Sequence, residues 1–237
     1  MSVPEHRMRT IGLIGGTSWE SSAEYYRIIN QRVRDQLGSL RSAQLLMYSV
    51  DFGPVEQAQH AGRWDDTALI LEDAARRLQA GGADCVVLCT NTMHLVAPRI
   101  EAAVSIPFLH IADAAGAAAV EAGTLTVGLL GTAFTMEQDF LKARLAAQGL
   151  TVLVPDARER EAVHRIIYEE LCVGVISEAS RQVYQRVIES LAAQGAQAII
   201  LGCTEIGLLI KPQHSHLPLL DTTELHAQAA VAFALAD

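Results

Sequence analysis

The sequence folds back on its own pattern. Ile11-Gly-Leu-Ile-Gly15 returns as Val127-Gly-Leu-Leu-Gly131, Ala83-Asp-Cys-Val-Val-Leu-Cys-Thr90 as Ala196-Gln-Ala-Ile-Ile-Leu-Gly-Cys-Thr204, and Ile106-Pro-Phe-Leu109 as Leu217-Pro-Leu-Leu220. The three pairs keep their order, about 111–116 residues apart. Any one pair is ordinary in a chain rich in apolar strands. Three in register point to an internal repeat. Short apolar runs alternate with amphipathic stretches throughout, the βαβ pattern of a parallel sheet covered on both faces. The expectation is an α/β fold of two pseudo-symmetric domains, each a parallel sheet flanked by helices, with an active site at the domain interface. The first domain is expected over 1–110 plus 221–237 and the second over 111–220.

Strands are predicted near 10–16, 43–50, 84–89, 106–110, 125–131, 150–154, 197–202 and 217–220. Helices are predicted at 19–37, 64–80, 112–122, 135–148, 158–173, 177–194 and 223–235. Ser18, Asp65 or Asp66, and Ser177 precede three of them as N-caps. Half of the 237 residues are hydrophobic, enough to bury a core, and no apolar run approaches the ~20 residues that span a bilayer. The start, Met1 to Thr10, is polar and lacks the apolar stretch of a secretory signal; Met8 offers an alternative start. The expected location is the cytoplasm, with no membrane partner. A net charge of −9 without a basic run argues against a nucleic-acid partner.

The repeat places one cysteine at the C-terminal end of the same strand in each half: Cys89 and Cys203. Ligands of doubly wound sheets bind at that end. A thiol at a strand-to-helix junction is expected to lie near helix N–H groups that favour thiolate. Two such halves facing each other would present both thiols across one cleft. Inversion at a carbon needs bases on opposite faces, one removing a proton and the other delivering one. Thr90-Asn91-Thr92 and Thr204-Glu205 supply hydroxyls and backbone donors suited to a small carboxylate, although ordinary N-capping accounts for them equally well. A single nucleophilic cysteine would need a histidine base. His94 is the one nearby candidate, and a structural or supporting role suits it better. Cys85, inside a strand, is read as core; Cys172, near a helix end, is read as core too, with lining a pocket as the alternative.

Other patterns carry less. Gly12-x-x-Gly15-Gly16 lacks the third glycine of a dinucleotide loop. His214-x-His216 sits between prolines with no evident third ligand, so no metal is expected. Neither Lys142 nor Lys211, the two lysines, has flanks suited to a pyridoxal-phosphate site. No cofactor is expected.

Six motifs together resemble the cofactor-independent aspartate/glutamate racemases, closest to the broad-specificity amino-acid racemase branch. They are Ile11-Gly-Leu-Ile-Gly-Gly-Thr-Ser-Trp-Glu-Ser21, Leu88-Cys-Thr-Asn-Thr-Met-His94, Leu109-His-Ile-Ala-Asp113, Thr135-Met-Glu-Gln-Asp-Phe140, Ile167-Tyr-Glu-Glu-Leu-Cys-Val-Gly174 and Gly202-Cys-Thr-Glu-Ile-Gly207. The resemblance implies an isomerase acting on amino acids, usually a homodimer, without metal or pyridoxal phosphate. It implies that Cys89 and Cys203 are the acid/base pair, that Thr90, Asn91, Thr92 and Thr204 hold the substrate's α-carboxylate and amino groups, and that Thr17 adds a contact. Many aspartate racemases of the family read Cys-Asn-Thr, whereas Thr90 intervenes here. They hold the side-chain carboxylate with an arginine after the second strand and a lysine on a later helix. The matching stretches, Val50 to Glu56 and Glu170-Leu-Cys172, carry no cation. A side-chain pocket not fixed on a carboxylate follows from that departure.

Two other classes fit parts of the pattern. One is another enzyme of the wider superfamily: a hydantoin racemase, a cis–trans isomerase or a decarboxylase, the last needing only one thiol. The other is a non-catalytic small-carboxylate binding protein, which has no reason to pair cysteines.

Overall fold

The computed structural model describes residues 8–38 and 40–236; the polar start before Met8 and the last residue lie outside the described residues. The chain divides into two compact units, one running up to His110 and resuming at His226, the other Ile111–Leu225.

In the first unit, β1 (Ile11–Gly15), β2 (Leu45–Ser49), β3 (Cys85–Leu88) and β4 (Phe108–Leu109) form a sheet in the order β2-β1-β3-β4. In the second, β5 (Thr126–Gly131), β6 (Thr151–Leu153), β7 (Ala198–Gly202) and β8 (Leu219–Asp221) form a sheet in the order β6-β5-β7-β8. Every pairing is parallel. The same order arises twice, so the repeated motifs are equivalent strands: β1 with β5, β3 with β7, β4 with β8.

Side chains alternate across each strand, which sorts the core. In the first unit Ile11, Leu13, Cys85, Val87 and Cys89 face a cluster that includes Tyr25, Ile29, Ala227 and Val231. Ile14, Val86 and Leu88 face Leu71, Ala75 and Ile100 on the other side. In the second unit Ile199, Leu201 and Cys203 share one face with Val163, Tyr184 and Ile188, while Ala198 and Ile200 face Ile111, Leu129 and Leu145. The two cysteines follow equivalent strands but stand on opposite faces: Ile11 pairs with Cys85 and Val127 with Ala198, so the counterpart of Cys89 is Gly202 and Cys203 comes one residue later. Each fully buried aliphatic side chain contributes roughly 1.5–3 kcal/mol.

Helices at Trp19–Leu37, Trp64–Ala80, Ile111–Glu121, Glu178–Ala193 and Thr222–Leu235 agree with the expected segments. Ser18 and Ser177 cap theirs, accepting from Ser21 N and Ser180 N at 3.1 Å each. The third expected cap does not hold. That helix begins at Trp64, so Asp65 and Asp66 lie in its first turn, where acidic side chains favour the N-terminal dipole. The segment expected at 135–148 divides into Ala133–Glu137 and Asp139–Ala146 because Gln138 is extended. The segment expected at 158–173 ends at Glu169 and continues as a 3-10 turn over Leu171–Val173. Helices at Phe52–His60 and Ala97–Ala103 are additional to the expected ones. Each has a proline in its first turn, a position that tolerates proline although the residue alone suggests a loop. No helix among the described residues is long and apolar enough to cross a membrane.

Candidate active site

The first candidate cluster lies at the C-terminal ends of β1 and β3, which pair through Ile14 and Leu88. β1 ends in a glycine turn whose geometry allows nothing larger. Gly16 has φ +96, and a Cβ there would lie 2.1 Å from the Val50 carbonyl oxygen. The turn is tied to the following helix, since Gly16 N donates to Ser22 Oγ at 2.9 Å and Ser22 Oγ donates to the Ser18 carbonyl at 2.9 Å. Thr17 is thereby held at 6% exposure. Its Oγ1 is buried and makes no hydrogen bond among the described residues.

Cys89 follows β3 and is fully buried. Thr90 and Thr92 are half-buried, and Asn91 and His94 are buried. Thr17, Cys89, Thr90, Asn91 and Thr92 thus belong to neighbouring turns of one sheet.

The second cluster comes after β7. Cys203 and Thr204 are half-buried, and the Cys203 Sγ donates to Glu205 Oε2 at 3.0 Å. A thiol next to a carboxylate two residues away has a proton acceptor in place. The sequence suggests Glu205 only for what its backbone offers; the thiol-to-carboxylate bond depends on the turn geometry, which the motif does not encode. Tyr184 is another residue that the sequence does not single out. It is buried, its phenol is pushed up first by burial and then by Cys203, and its Oη donates to the Val163 carbonyl at 3.4 Å.

The expected thiolate character of the two cysteines is not found. Burial pushes the Cys89 thiol well above its ordinary value. Burial does the same to Cys203, and the Glu205 carboxylate adds to it. The physical reason lies in the short segment after each cysteine: a 3-10 turn at Thr92–Val96 in one unit and the four-residue helix Ile206–Leu209 in the other. Such short segments supply little dipole against the desolvation of an anion. Cys85 is core as expected, and burial pushes its thiol up to about 12. Cys172 is not core: it is exposed, while its neighbour Leu171 turns inward.

The stretches that lack the family's cations have other roles. Asp51 accepts from Gly53 N at 3.1 Å and caps the Phe52–His60 helix. Glu170 accepts from Ser177 Oγ at 3.0 Å and Ser180 Oγ at 2.5 Å, bracing the start of the Glu178–Ala193 helix. His214 uses Nδ1 to accept from Lys211 N at 3.1 Å, a capping role rather than a ligand's. Among the described residues no three His, Cys, Asp or Glu side chains group closely enough to hold a metal ion.

Comparison with known proteins identifies relatives of the chain. The Asp/Glu/hydantoin racemase family model matches residues 14–230. The broad specificity amino-acid racemase RacX of Bacillus subtilis is 26% identical over 172 residues, covering 73% of this chain and 74% of that protein. The crystal structure of a Yersinia pestis protein with a provisional Asp/Glu racemase assignment superposes with a TM-score of 0.93 at 54% identity, covering 97% of this chain and 100% of that one. An aspartate racemase homologue from Pyrococcus horikoshii gives a TM-score of 0.87 at 32% identity, with coverage of 97% and 100%. A repeated parallel sheet, a thiol at the end of the same strand in each copy and a family match over nearly the whole chain lead to one conclusion: the chain belongs to the Asp/Glu/hydantoin racemase family.

Proposed function

We propose that this protein inverts free amino acids at the α-carbon by two-base proton transfer without a cofactor, with Cys89 and Cys203 as the pair of bases. The observation that carries the reading is that Cys89 and Cys203 are each the first residue after equivalent strands, β3 and β7. One thiolate removes the α-proton, the other thiol delivers a proton to the opposite face, and the roles exchange in the reverse direction.

Thiols raised by burial are protonated at neutral pH, so a thiolate has to be made as substrate binds. Two features support that step. The substrate's ammonium group is a cation, and a cation near a thiol favours its ionised form. Glu205 accepts a hydrogen bond from Cys203 and is placed to take its proton. A thiolate formed in buried surroundings is also a stronger base than one in water.

Thr17, Thr90, Asn91, Thr92 and Thr204 are assigned to the α-carboxylate and amino groups. Thr17 supports this best, since a buried hydroxyl without a protein partner costs about 1–3 kcal/mol unless something else satisfies it. Side-chain specificity is taken to be broad. RacX carries that description, and Asp51 and Glu170 occupy the stretches where aspartate racemases of the family hold cations. The reading carries with it a cytoplasmic homodimer, which sedimentation across concentrations tests.

The test of substrate class is chiral chromatography of the reduced, chelator-treated protein with separate L- and D-enantiomers of aspartate, glutamate, homoserine, methionine and leucine. Inversion of several side chains without added pyridoxal phosphate is expected. No inversion of any of them by folded, reduced protein overturns the amino-acid racemase reading.

A further inference from the structure

We propose that His94 is a positioning residue for Cys89, fixing the turn that carries this thiol so that only the Cys89 half of the proton transfer depends on it. The proposal rests on the two-thiol reading above and deepens it.

The four main-chain polar groups of Cys89 and Thr90 are all satisfied, and each by a different element. Cys89 N donates to the Ile14 carbonyl at 2.9 Å, and Ser21 Oγ from the first helix donates to the Cys89 carbonyl at 3.1 Å. Thr90 N donates to the Leu88 carbonyl at 2.9 Å. The remaining group, the Thr90 carbonyl, lies 2.7 Å from His94 Nδ1. A carbonyl only accepts, so Nδ1 carries the proton and His94 is the donor. Buried main-chain groups of this kind are nearly always paired, and losing the donor would leave the Thr90 carbonyl to find another partner by moving the turn.

The imidazole is itself held from several sides. His94 is buried, with the His110 ring 4.5 Å away in an edge contact, Phe108 at 5.6 Å and His226 at 5.9 Å. His226 is anchored in turn. Its Nε2 donates to the Leu109 carbonyl at 2.7 Å, which leaves Nδ1 to accept from Tyr25 Oη at 2.8 Å. All these groups belong to the first unit, and together they fix the direction in which Nδ1 points.

The repeat shows that this is a feature of one half. The residue five places after Cys89 is His94; five places after Cys203 stands Leu208, which is 57% exposed. The Cys203 carbonyl instead accepts from Ile206 N at 3.2 Å, and its sulfur donates to Glu205. One thiol is therefore oriented through a side-chain donor to its turn and the other through a main-chain bond and a carboxylate. Displacement of a reacting group by about an ångström costs roughly 10²-fold in rate.

The experiment compares α-deuterium isotope effects on kcat in the two directions for His94→Phe and His94→Asn. Because L- and D-enantiomers are equally stable, kcat/KM changes equally in both directions and cannot locate the defect. Isotope effects can. With Cys89 displaced in His94→Phe, removal of the proton by Cys89 becomes more limiting. The isotope effect is expected to rise for the enantiomer that Cys89 deprotonates and to fall for the other, with kcat down roughly 10²-fold. Asparagine places an amide N–H where Nδ1 stood, and His94→Asn is expected to keep the two isotope effects in the wild-type ratio. If His94→Phe does not fold, as judged by circular dichroism, His94→Leu carries the test, since it too removes the donor to the Thr90 carbonyl and is expected to skew the isotope effects in the same sense. A loss of activity with an unchanged ratio overturns the proposal and leaves His94 as a core residue. Inversion that survives in Cys89→Ser overturns instead the two-thiol reading on which the proposal stands.

Discussion

The Cys203 thiol donates to the Glu205 carboxylate across 3.0 Å, and the carboxylate both raises the thiol and offers its proton a destination. These two consequences separate on mutation. Glu205→Gln removes the negative charge, so Cys203 is expected to ionise at lower pH than in the wild type, read from the pH dependence of its alkylation. Turnover is expected to fall nonetheless, by about 10²-fold, because the amide does not take a proton.

The four cysteines differ in access and in ionisation, which sets their order of modification. Cys172 is exposed, Cys203 is half-buried, and Cys85 and Cys89 are fully buried. The thiolate is the reactive form. Peptide mapping after a short iodoacetamide pulse at pH 7.5 is expected to show Cys172 labelled first and Cys85 and Cys89 protected. Comparable labelling of Cys89 and Cys172 would contradict the burial of Cys89.

Alkaline pH is expected to destabilise the fold. Burial pushes the Cys85 thiol from an ordinary value of 9.0 up to about 12. Below pH 9 both folded and unfolded chains hold this proton. Between pH 9 and 12 the unfolded chain releases it and the folded one does not, so stability falls as pH rises. Cys89 acts in the same direction. The drop in Tm from pH 8 to pH 10.5 is expected to be smaller in Cys85→Ala than in the wild type, even though the variant starts from a lower Tm.

The first glycine turn is equally open to test. A Cβ on Gly16 would meet both the carbonyl oxygen and the nitrogen of Val50, at 2.1 and 2.5 Å, with a positive φ besides. Gly16→Ala is expected to cost about 3 kcal/mol or more in urea unfolding, at the upper end of single substitutions. Gly38→Ala, also at positive φ but with nothing within 4 Å, is the control and is expected to cost less.

Much of the fold is legible in the chain because the repeat is a repeat of strands. Ile11–Gly15 and Val127–Gly131 each announce a buried central strand, and Cys89 and Cys203 each fall directly after the strand that pairs with it. What stays hidden depends on tertiary surroundings. The rise in the Cys89 and Cys203 thiols comes from burial, which a motif does not report, and it opposes the ionisation that a strand-to-helix junction suggests. Glu205 and His94 stand inside recognisable motifs, yet what they do depends on which atom each side chain reaches. Cys172 looks apolar between Leu171 and Val173 and is exposed because a 3-10 turn, not a helix, carries it.

The central claim is inversion by two thiols, and α-hydrogen exchange in D₂O tests it most directly. Wild-type protein, Cys89→Ser and Cys203→Ser are each incubated with single enantiomers of an accepted amino acid, and α-deuterium is followed by NMR with chirality read alongside. The account requires one solvent deuterium per inversion in the wild type and loss of inversion in both variants. Inversion at the wild-type rate in either serine variant would contradict it.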